Sequence, residues 1–222
     1  MSNSQFSNLV IAIDGPAGAG KSTVARLLSD RFGIPLLDTG AMYRAVAYKA
    51  HEAGLTLGQS EQIVWLARNC KISFPADSPL SVHVDGQDIS DKIRTLEIGE
   101  FASQISVLRD LRERMVALQQ EILRQGGRIL EGRDVTTVVA PDADLKIFLT
   151  ASIEERARRR WLEIKARGES TSLQQVVKDV VIRDHRDYTR TDGTLMLAED
   201  AHIVESFGIT AEEVVDRIVA LL

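Results

Sequence analysis

A chain of 222 residues, 44% hydrophobic and 27% charged, has the balance of a globular protein, and its length fits one domain with an appended element or two small ones. A net charge of −5 excludes general nucleic-acid affinity, so any anion site must be a local cluster of Arg and Lys. One cysteine, Cys70, excludes an intrachain disulfide and points to the cytoplasm; no apolar run approaches a membrane span, and the polar start (Ser2 to Asn8) lacks signal-peptide order.

Residues 1–8 read as a loose tail. Leu9-Val10-Ile11-Ala12-Ile13 is a buried-strand run ending at Asp14, and Gly15-Pro16-Ala17-Gly18-Ala19-Gly20-Lys21-Ser22 is a complete G-x-x-x-x-G-K-S phosphate loop. Behind it, Val24, Leu27, Leu28 and Phe32 share one face of a helix ending near Gly33. Strand, loop and helix in that order are the context the motif requires. The glycines let several N–H groups point into one hollow at a helix N-terminus, which holds phosphate oxygens. Lys21 reaches the β- and γ-phosphates and Ser22 meets a magnesium ion. A Gly-rich turn without a ligand has no need of the Lys-Ser pair. A dinucleotide fingerprint started at Gly18 ends on Thr23, where close packing needs Gly or Ala.

Residues 34–37 form a short second strand leading to Asp38-Thr39-Gly40 and a helix with Met42, Ala45, Val46, Ala50 and Ala53 at helical spacing. The Thr39 hydroxyl, the helix N-terminus and Arg44 one turn in make a candidate phosphate site; taken alone, they equally describe an ordinary cap and a surface arginine. A helix near residues 61–69 follows. Ile72 and Phe74, then Leu80, Val82 and Val84, alternate with polar residues, and Asp85-Gly86 is a hairpin signal. Residues 71–89 therefore read as a small antiparallel insertion. Helix returns over 96–124 with a break near Ser106, and 128–131 and 145–149 are compact buried strands. Ser152 to Glu155 is a capping box opening a very basic helix; another helix covers 173–189; 201–204 is a last strand; Thr210 to Glu213 caps a closing helix. Strands alternating with helices give a parallel sheet covered on both faces. His51, His83, His185 and His202 show no metal-ligand spacing and read as surface or structural.

The loop identifies the donor end of a nucleotide, not the acceptor. The N-K-x-D motif of GTPases is absent. Arg156, Arg159 and Arg160 share one helix face, as do Arg183, Arg186 and Arg190 on a later helix interleaved with Asp184 and Asp187. Either cluster alone describes a solvated, salt-bridged helix. Two such clusters after a phosphate loop describe a cationic flap closing over phosphates and excluding water, because phosphoryl transfer is catalysed by positioning and by cations on the migrating charge. The reading is a small-molecule kinase. A P-loop kinase with another small acceptor is the alternative. A regulatory ATP-binding module would show a broken loop or missing arginines, and neither is found.

The chain resembles the bacterial cytidylate kinases, within the nucleoside monophosphate kinases. The matching stretches are Ile13 to Ser22, Leu37 to Arg44, Ile93-Arg94-Thr95 with Ala102-Ser103-Gln104, Gly132-Arg133-Asp134, Lys146 to Leu149, Glu154 to Ala157 and Arg183-Asp184 to Arg190. The resemblance implies an α/β P-loop kinase: a parallel sheet flanked by helices, with the small β insertion in the monophosphate-binding region and a helical lid. It implies one unit over 9–222, with a core (9–38, 108–152, 192–222), an acceptor region (39–107) and a lid (153–191). The activity implied is transfer of the γ-phosphoryl group of Mg-ATP to CMP or dCMP, by a cytoplasmic monomer with no nucleic-acid or membrane partner.

The resemblance also assigns residues. Gly15, Pro16, Ala17, Gly18, Ala19, Gly20, Lys21, Ser22, Thr23 and Arg160 would bind ATP, and Lys21, Arg133, Arg156 and Arg190 would act on the transferred group. Thr39, Tyr43, Arg44, Ser103, Arg112, Arg133, Asp134, Arg183 and Asp187 would hold CMP, and Ser22 with Asp38 would order Mg2+. Cytosine offers an N4 donor for an Asp or Ser oxygen and N3 and O2 acceptors for an Arg, whereas uracil reverses the signs at position 4 and N3. Five positions in four stretches depart from the family pattern. Val135-Thr136-Thr137 replaces Ile-Gly-Thr, so that a left-handed backbone at Thr136 would be strained; Glu131 stands for Asp, Thr194-Leu195 for Pro-Leu and Ser206 for Thr.

Overall fold

The structure, a computed structural model, describes residues 6, 8–75 and 81–222. The tail expected over residues 1–8 falls mostly outside these residues, and Leu80 falls outside them entirely. In chain order the elements are β1 (Val10–Asp14), α1 (Lys21–Phe32), β2 (Leu36–Asp38), α2 (Thr39–Glu52), α3 (Ser60–Asn69), β3 (Ile72–Ser73), β4 (His83–Val84), β5 (Gln87–Asp88), α4 (Leu96–Ile105), α5 (Arg109–Leu123), β6 (Arg128–Glu131), β7 (Leu145–Thr150), α6 (Ile153–Ala166), α7 (Leu173–Thr189), β8 (His202–Glu205) and α8 (Ala211–Val219).

Five strands form one parallel sheet in the order β2-β6-β1-β7-β8, with β1 central. Its two faces follow from the period of 2. Ile11 and Ile13 point to a layer with Val24, Leu28, Val214 and Ile218 of α1 and α8. Ala12, Leu37 and Leu130 point to the other, with Met42 and Val46 of α2 and Leu111 and Met115 of α5. Helices α6 and α7 have a separate small core of Ala157, Ile164, Val176 and Val180, against which Leu96 packs. The insertion is a three-stranded antiparallel sheet, β3-β4-β5. Its hairpin turns on Asp85 (φ 53) and Gly86 (φ 82), two consecutive left-handed residues as the Asp-Gly pair requires.

Local capping ends the helices where the sequence signals stand. Thr210 and Glu213 make the reciprocal capping box of α8. At α6 the box is half made: Ser152 accepts from the Glu155 N–H, but the Glu155 carboxylate turns to Arg158 and Arg159. The break expected near Ser106 separates α4 from α5. Between β6 and β7 the chain forms a π-helical turn, Val135–Val139, which no sequence signal marked.

Candidate active site

The functional groups gather outside the carboxyl ends of the parallel strands, where Asp14, Asp38, Glu131 and Thr150 end β1, β2, β6 and β7. Gly15 (φ 152) has no room for a side chain: a Cβ would overlap the Leu149 carbonyl oxygen, so only glycine lets the loop leave the sheet here. Helix α1 then starts at Lys21, with no side chain capping it and no acidic residue in its first turn. Its positive end is thereby left for an anion. Lys21 Nζ donates to the carbonyls of Gly15 (2.7 Å) and Pro16 (2.9 Å). Burial, then the Arg133 charge, lower the Lys21 pKa, and Glu131 opposes them. Burial raises the Glu131 pKa, Asp38 adds to the rise, and Lys21 and the Ser22 hydroxyl oppose it.

A cleft of about 870 Å³ opens from this loop, bounded on the far side by α2, α4 and α7. That is the upper end of the range for ligand sites. Asp38 caps α2 through the Ala41 N–H (2.9 Å) and pairs with Arg44 (2.6 Å), fixing that guanidinium over the helix start. The Thr39 hydroxyl donates to the Glu131 carbonyl at 2.7 Å. Arg112 is buried, pairs with Asp134, donates to the Ser106 carbonyl (3.3 Å) and lies over the Tyr43 ring, 5.7 Å from its centroid. Burial pushes the Tyr43 phenol up to about 12, so it stays a neutral donor at physiological pH.

Opposite them, Arg133 pairs with Asp187 at 2.7 Å, and Arg190 donates to the Gly193 carbonyl at 2.6 Å. Arg190 Nη2 has no hydrogen-bond partner among the described residues and stands 4.0 Å from Asp134 Oδ1. Arg183 shows the character of the site most directly. Burial, then the Arg133 charge, lower its pKa to about 9; Asp187 opposes the drop while Arg160 and Arg44 add to it, and its Nε is unpartnered. Several guanidiniums thus converge with too few carboxylates between them, which creates a field for multiply charged anions.

The cleft is lined by Ala17 to Thr23 of the loop, by Asp38, Thr39, Tyr43, Arg44, Ser103 and Arg112, and by Arg133, Asp134, Arg160, Arg183, Asp187 and Arg190. The expected residues that do not line it are Gly15, Pro16 and Arg156. Arg156 was expected to act on the transferred group; here its Nε and Nη1 are engaged behind the loop, outside the cleft. It pairs with Asp184 (2.7 Å) and donates to the carbonyls of Ala17 (2.9 Å) and Ala151 (3.0 Å), so it braces the phosphate loop. Arg159 does the same one turn on, donating to Ser206 Oγ (2.9 Å) and the Ser206 carbonyl (2.6 Å).

Thr136 is also unlike the expectation of strain. Among the described residues the only non-glycine with positive φ is Asp85, so Thr136 sits without left-handed strain. Its N–H and hydroxyl both donate to the buried Asp14 carboxylate, at 2.8 and 2.6 Å. Three positions near the cleft carried no assigned role from the sequence. Glu131 carries a charge at the end of a buried strand, a signal that was available. Gly193 (φ 61) packs against the Arg112–Asp134 pair, which a Cβ would overlap. Arg167 crosses the cleft to donate to the Arg94 carbonyl at 2.5 Å, a contact no local pattern announces.

Comparison with known proteins agrees with this geometry. The family profile described as cytidylate kinase matches residues 11–222. A cytidylate kinase of Desulfitobacterium hafniense is 48% identical over 214 residues, covering 96% of this chain and 92% of that one. One of Pelotomaculum thermopropionicum is 47% identical over 212 residues, covering 95% and 94%. Among solved structures, a gluconokinase from Sinorhizobium meliloti shares the fold, with a TM-score of 0.51 at 14% identity over 96% of this chain and 90% of that one.

Proposed function

The chain belongs to the cytidylate kinase family, and from that premise we propose how its residues carry phosphoryl transfer from ATP to CMP. The observation that carries the reading is the crowding of Arg183 by Arg133, Arg160 and Arg44, opposite the uncapped start of α1. Such a field stabilises charge on a migrating phosphoryl group between two anionic nucleotides. The acceptor is already an anionic phosphate oxygen, so no general base is needed.

In this reading residues 15–23 cradle the ATP phosphates, Lys21 leaves its loop carbonyls for the β- and γ-phosphates, and Arg160 reaches them from the lid. Arg44, Arg133, Arg183 and Arg190 hold the CMP phosphate and the group in flight, with Thr39 and Tyr43 at the phosphate and sugar. Asp134, through the oxygen that Arg112 leaves free, accepts from cytosine N4, while Arg112 serves a ring acceptor. Asp187 contacts the ribose. Arg156 acts on the reaction only through the loop it braces.

The residues present also fit a magnesium ion arriving with ATP. The Ser22 hydroxyl holds down the Glu131 pKa that burial and Asp38 raise, and a cation beside Ser22 would relieve that repulsion. When bound, such an ion would supply positive charge against the phosphate charge that develops in transfer. Asp38 contributes at longer range, because both its oxygens are already engaged. We extend the reading to dCMP as acceptor, to a core (9–38, 108–152, 192–222), acceptor region (39–107) and lid (153–191), and to a cytoplasmic monomer. No helix among the described residues is long and apolar enough to cross a membrane.

The test is ADP release from Mg-ATP with CMP, dCMP, UMP, AMP and GMP supplied separately. Strong turnover confined to CMP and dCMP is the expected result. Turnover with UMP equal to CMP overturns the base-reading assignments, and no turnover with any of the five overturns the function.

A further inference from the structure

One arginine of α7 touches the acceptor side without any assigned part in the reaction. Arg186 Nη1 donates to Ser103 Oγ at 2.5 Å and Nη2 donates to Glu100 Oε1 at 2.9 Å. Ser103 is 5% exposed and lines the cleft. Its hydroxyl has one hydrogen and two lone pairs. The guanidinium occupies one lone pair, and the hydrogen has no acceptor among the described residues. A positive group held against an oxygen also disfavours that oxygen's accepting from another donor. The Ser103 hydroxyl is therefore polarised to donate into the cleft.

From this arrangement we propose that Arg186 is a specificity-determining positioning residue: it fixes Ser103 as a hydrogen-bond donor, and so favours a pyrimidine whose N3 is an acceptor over one whose N3 carries a proton. Cytosine accepts at N3 and O2, whereas uracil presents N3–H to the same hydroxyl. Without the guanidinium the hydroxyl rotates freely and serves either base. Glu100 holds the second nitrogen of the fork, which fixes the plane of the guanidinium against α4. Arg186 rides on the same helix as Arg183, Asp187 and Arg190. The donor setting of Ser103 consequently depends on α7 lying against α4. This inference rests on the proposed reading of the cleft as the CMP site, and it reverses Ser103 from an acceptor of N4 to a donor.

The experiment measures kcat/KM for CMP and for UMP at saturating Mg-ATP in the wild type, R186M, R186K, S103A and the S103A/R186M double variant, with a thermal melt of each. The expected result is a fall of about tenfold in the CMP-to-UMP ratio for R186M, the size of one charge-assisted hydrogen bond. R186K keeps most of the ratio, the KM for ATP stays at the wild-type value, and R186M has no further effect in the S103A background. Equal loss for both nucleotides in R186M indicates packing alone and overturns the proposal. So does a drop in the ratio that is as large when Ser103 is absent. A wild type that does not phosphorylate CMP removes the functional reading itself, whereas wild-type CMP turnover with an unmoved ratio removes only the role of Arg186.

Discussion

The bond between Thr136 and Asp14 offers a prediction whose size and pH dependence both follow from the structure. Asp14 is fully buried where β1 meets the phosphate loop, and it accepts from the Val135 N–H (3.0 Å), the Thr136 N–H (2.8 Å) and the Thr136 hydroxyl (2.6 Å). Burial raises its pKa above the ordinary 3.8, and the Thr136 side-chain bond leads the causes that oppose the rise. Thr136→Val keeps the shape and removes that bond. Hydrogen bonds to charged groups contribute about 1.5–3 kcal/mol, and at this chain length each kcal/mol moves Tm by roughly 2–4 °C. The expected loss is about 5 °C at pH 7. The folded pKa exceeds the unfolded one, so the folded state binds more protons above 3.8, and stability falls as pH rises through the folded value. The variant raises the folded pKa further. Its deficit is therefore full above that value and shrinks as pH falls through the wild-type folded value, below which the carboxyl is protonated in both folded proteins. Thermal melts of wild type, T136V and T136S across pH 4–8 read this directly. Because the turn carries Arg133 and Asp134 on its leading edge, T136V also raises the KM for CMP while the KM for ATP is unchanged. A T136V protein as stable as the wild type, or a deficit that does not vary with pH, refutes the reasoning.

Lys21→Ala lowers turnover by about a hundredfold or more, since a preorganised cation on the phosphates is lost, while its melt holds or improves because a buried ammonium is removed; full activity in a coupled ADP assay counts against the mechanism. Asp134→Ala raises the KM for CMP by about tenfold and leaves that for ATP, and it lowers stability by about 3 kcal/mol because Arg112 stays buried without its partner; equal effects on both substrates contradict the base-reading role. Gly193→Ala places a Cβ on the Arg112–Asp134 pair and an L-residue at φ 61, so CMP affinity measured by calorimetry falls while ATP affinity stays; unchanged CMP binding shows that the loop repacks freely.

Much of this architecture is written locally. The phosphate loop, the period-2 strands around it, the Asp85-Gly86 hairpin and the Thr210–Glu213 box each depend on residues within one turn or strand of each other, and each stands where the sequence puts it. The family resemblance added the acceptor residues, and Ser103, Arg112, Asp134 and Asp187 do meet in one cleft although far apart in the chain. What stayed hidden is tertiary. The i, i+3, i+4 spacing puts Arg156 and Arg160 on one helix face, but it cannot say that this face straddles the loop's back and the cleft's rim. Thr136 looked like a strained substitute for glycine because its φ and its partner on β1 are set by a π-helical turn that leaves no hydrophobic period. Gly193 was invisible for a related reason: its importance is the space it leaves beside a pair contributed by α5 and the β6 end.

The arginines divide by where their donors go, and that division explains how one basic stretch can serve two ends. Arg156 and Arg159 have N–H groups engaged by loop carbonyls and by Ser206, and they pair with Asp184 and Glu155 respectively, so their charge is neutralised locally and their effect is rigidity in the phosphate loop. Arg183 is held where burial and its neighbours oppose its charge, with its pKa down to about 9, and Arg190 keeps a buried nitrogen unpartnered. A group in that position has a raised energy in the free protein, and an incoming phosphate relieves it. On the proposed reading, affinity for the acceptor phosphate and for the group in transit arises from repulsion already present among the cations. The repulsion is tolerable only because Asp134 and Asp187 keep Arg112 and Arg133 from the same fate. The two aspartates are thus as necessary to the phosphate field as the arginines, and the contacts with base and ribose proposed for them would tie the strength of that field to the acceptor bound within it.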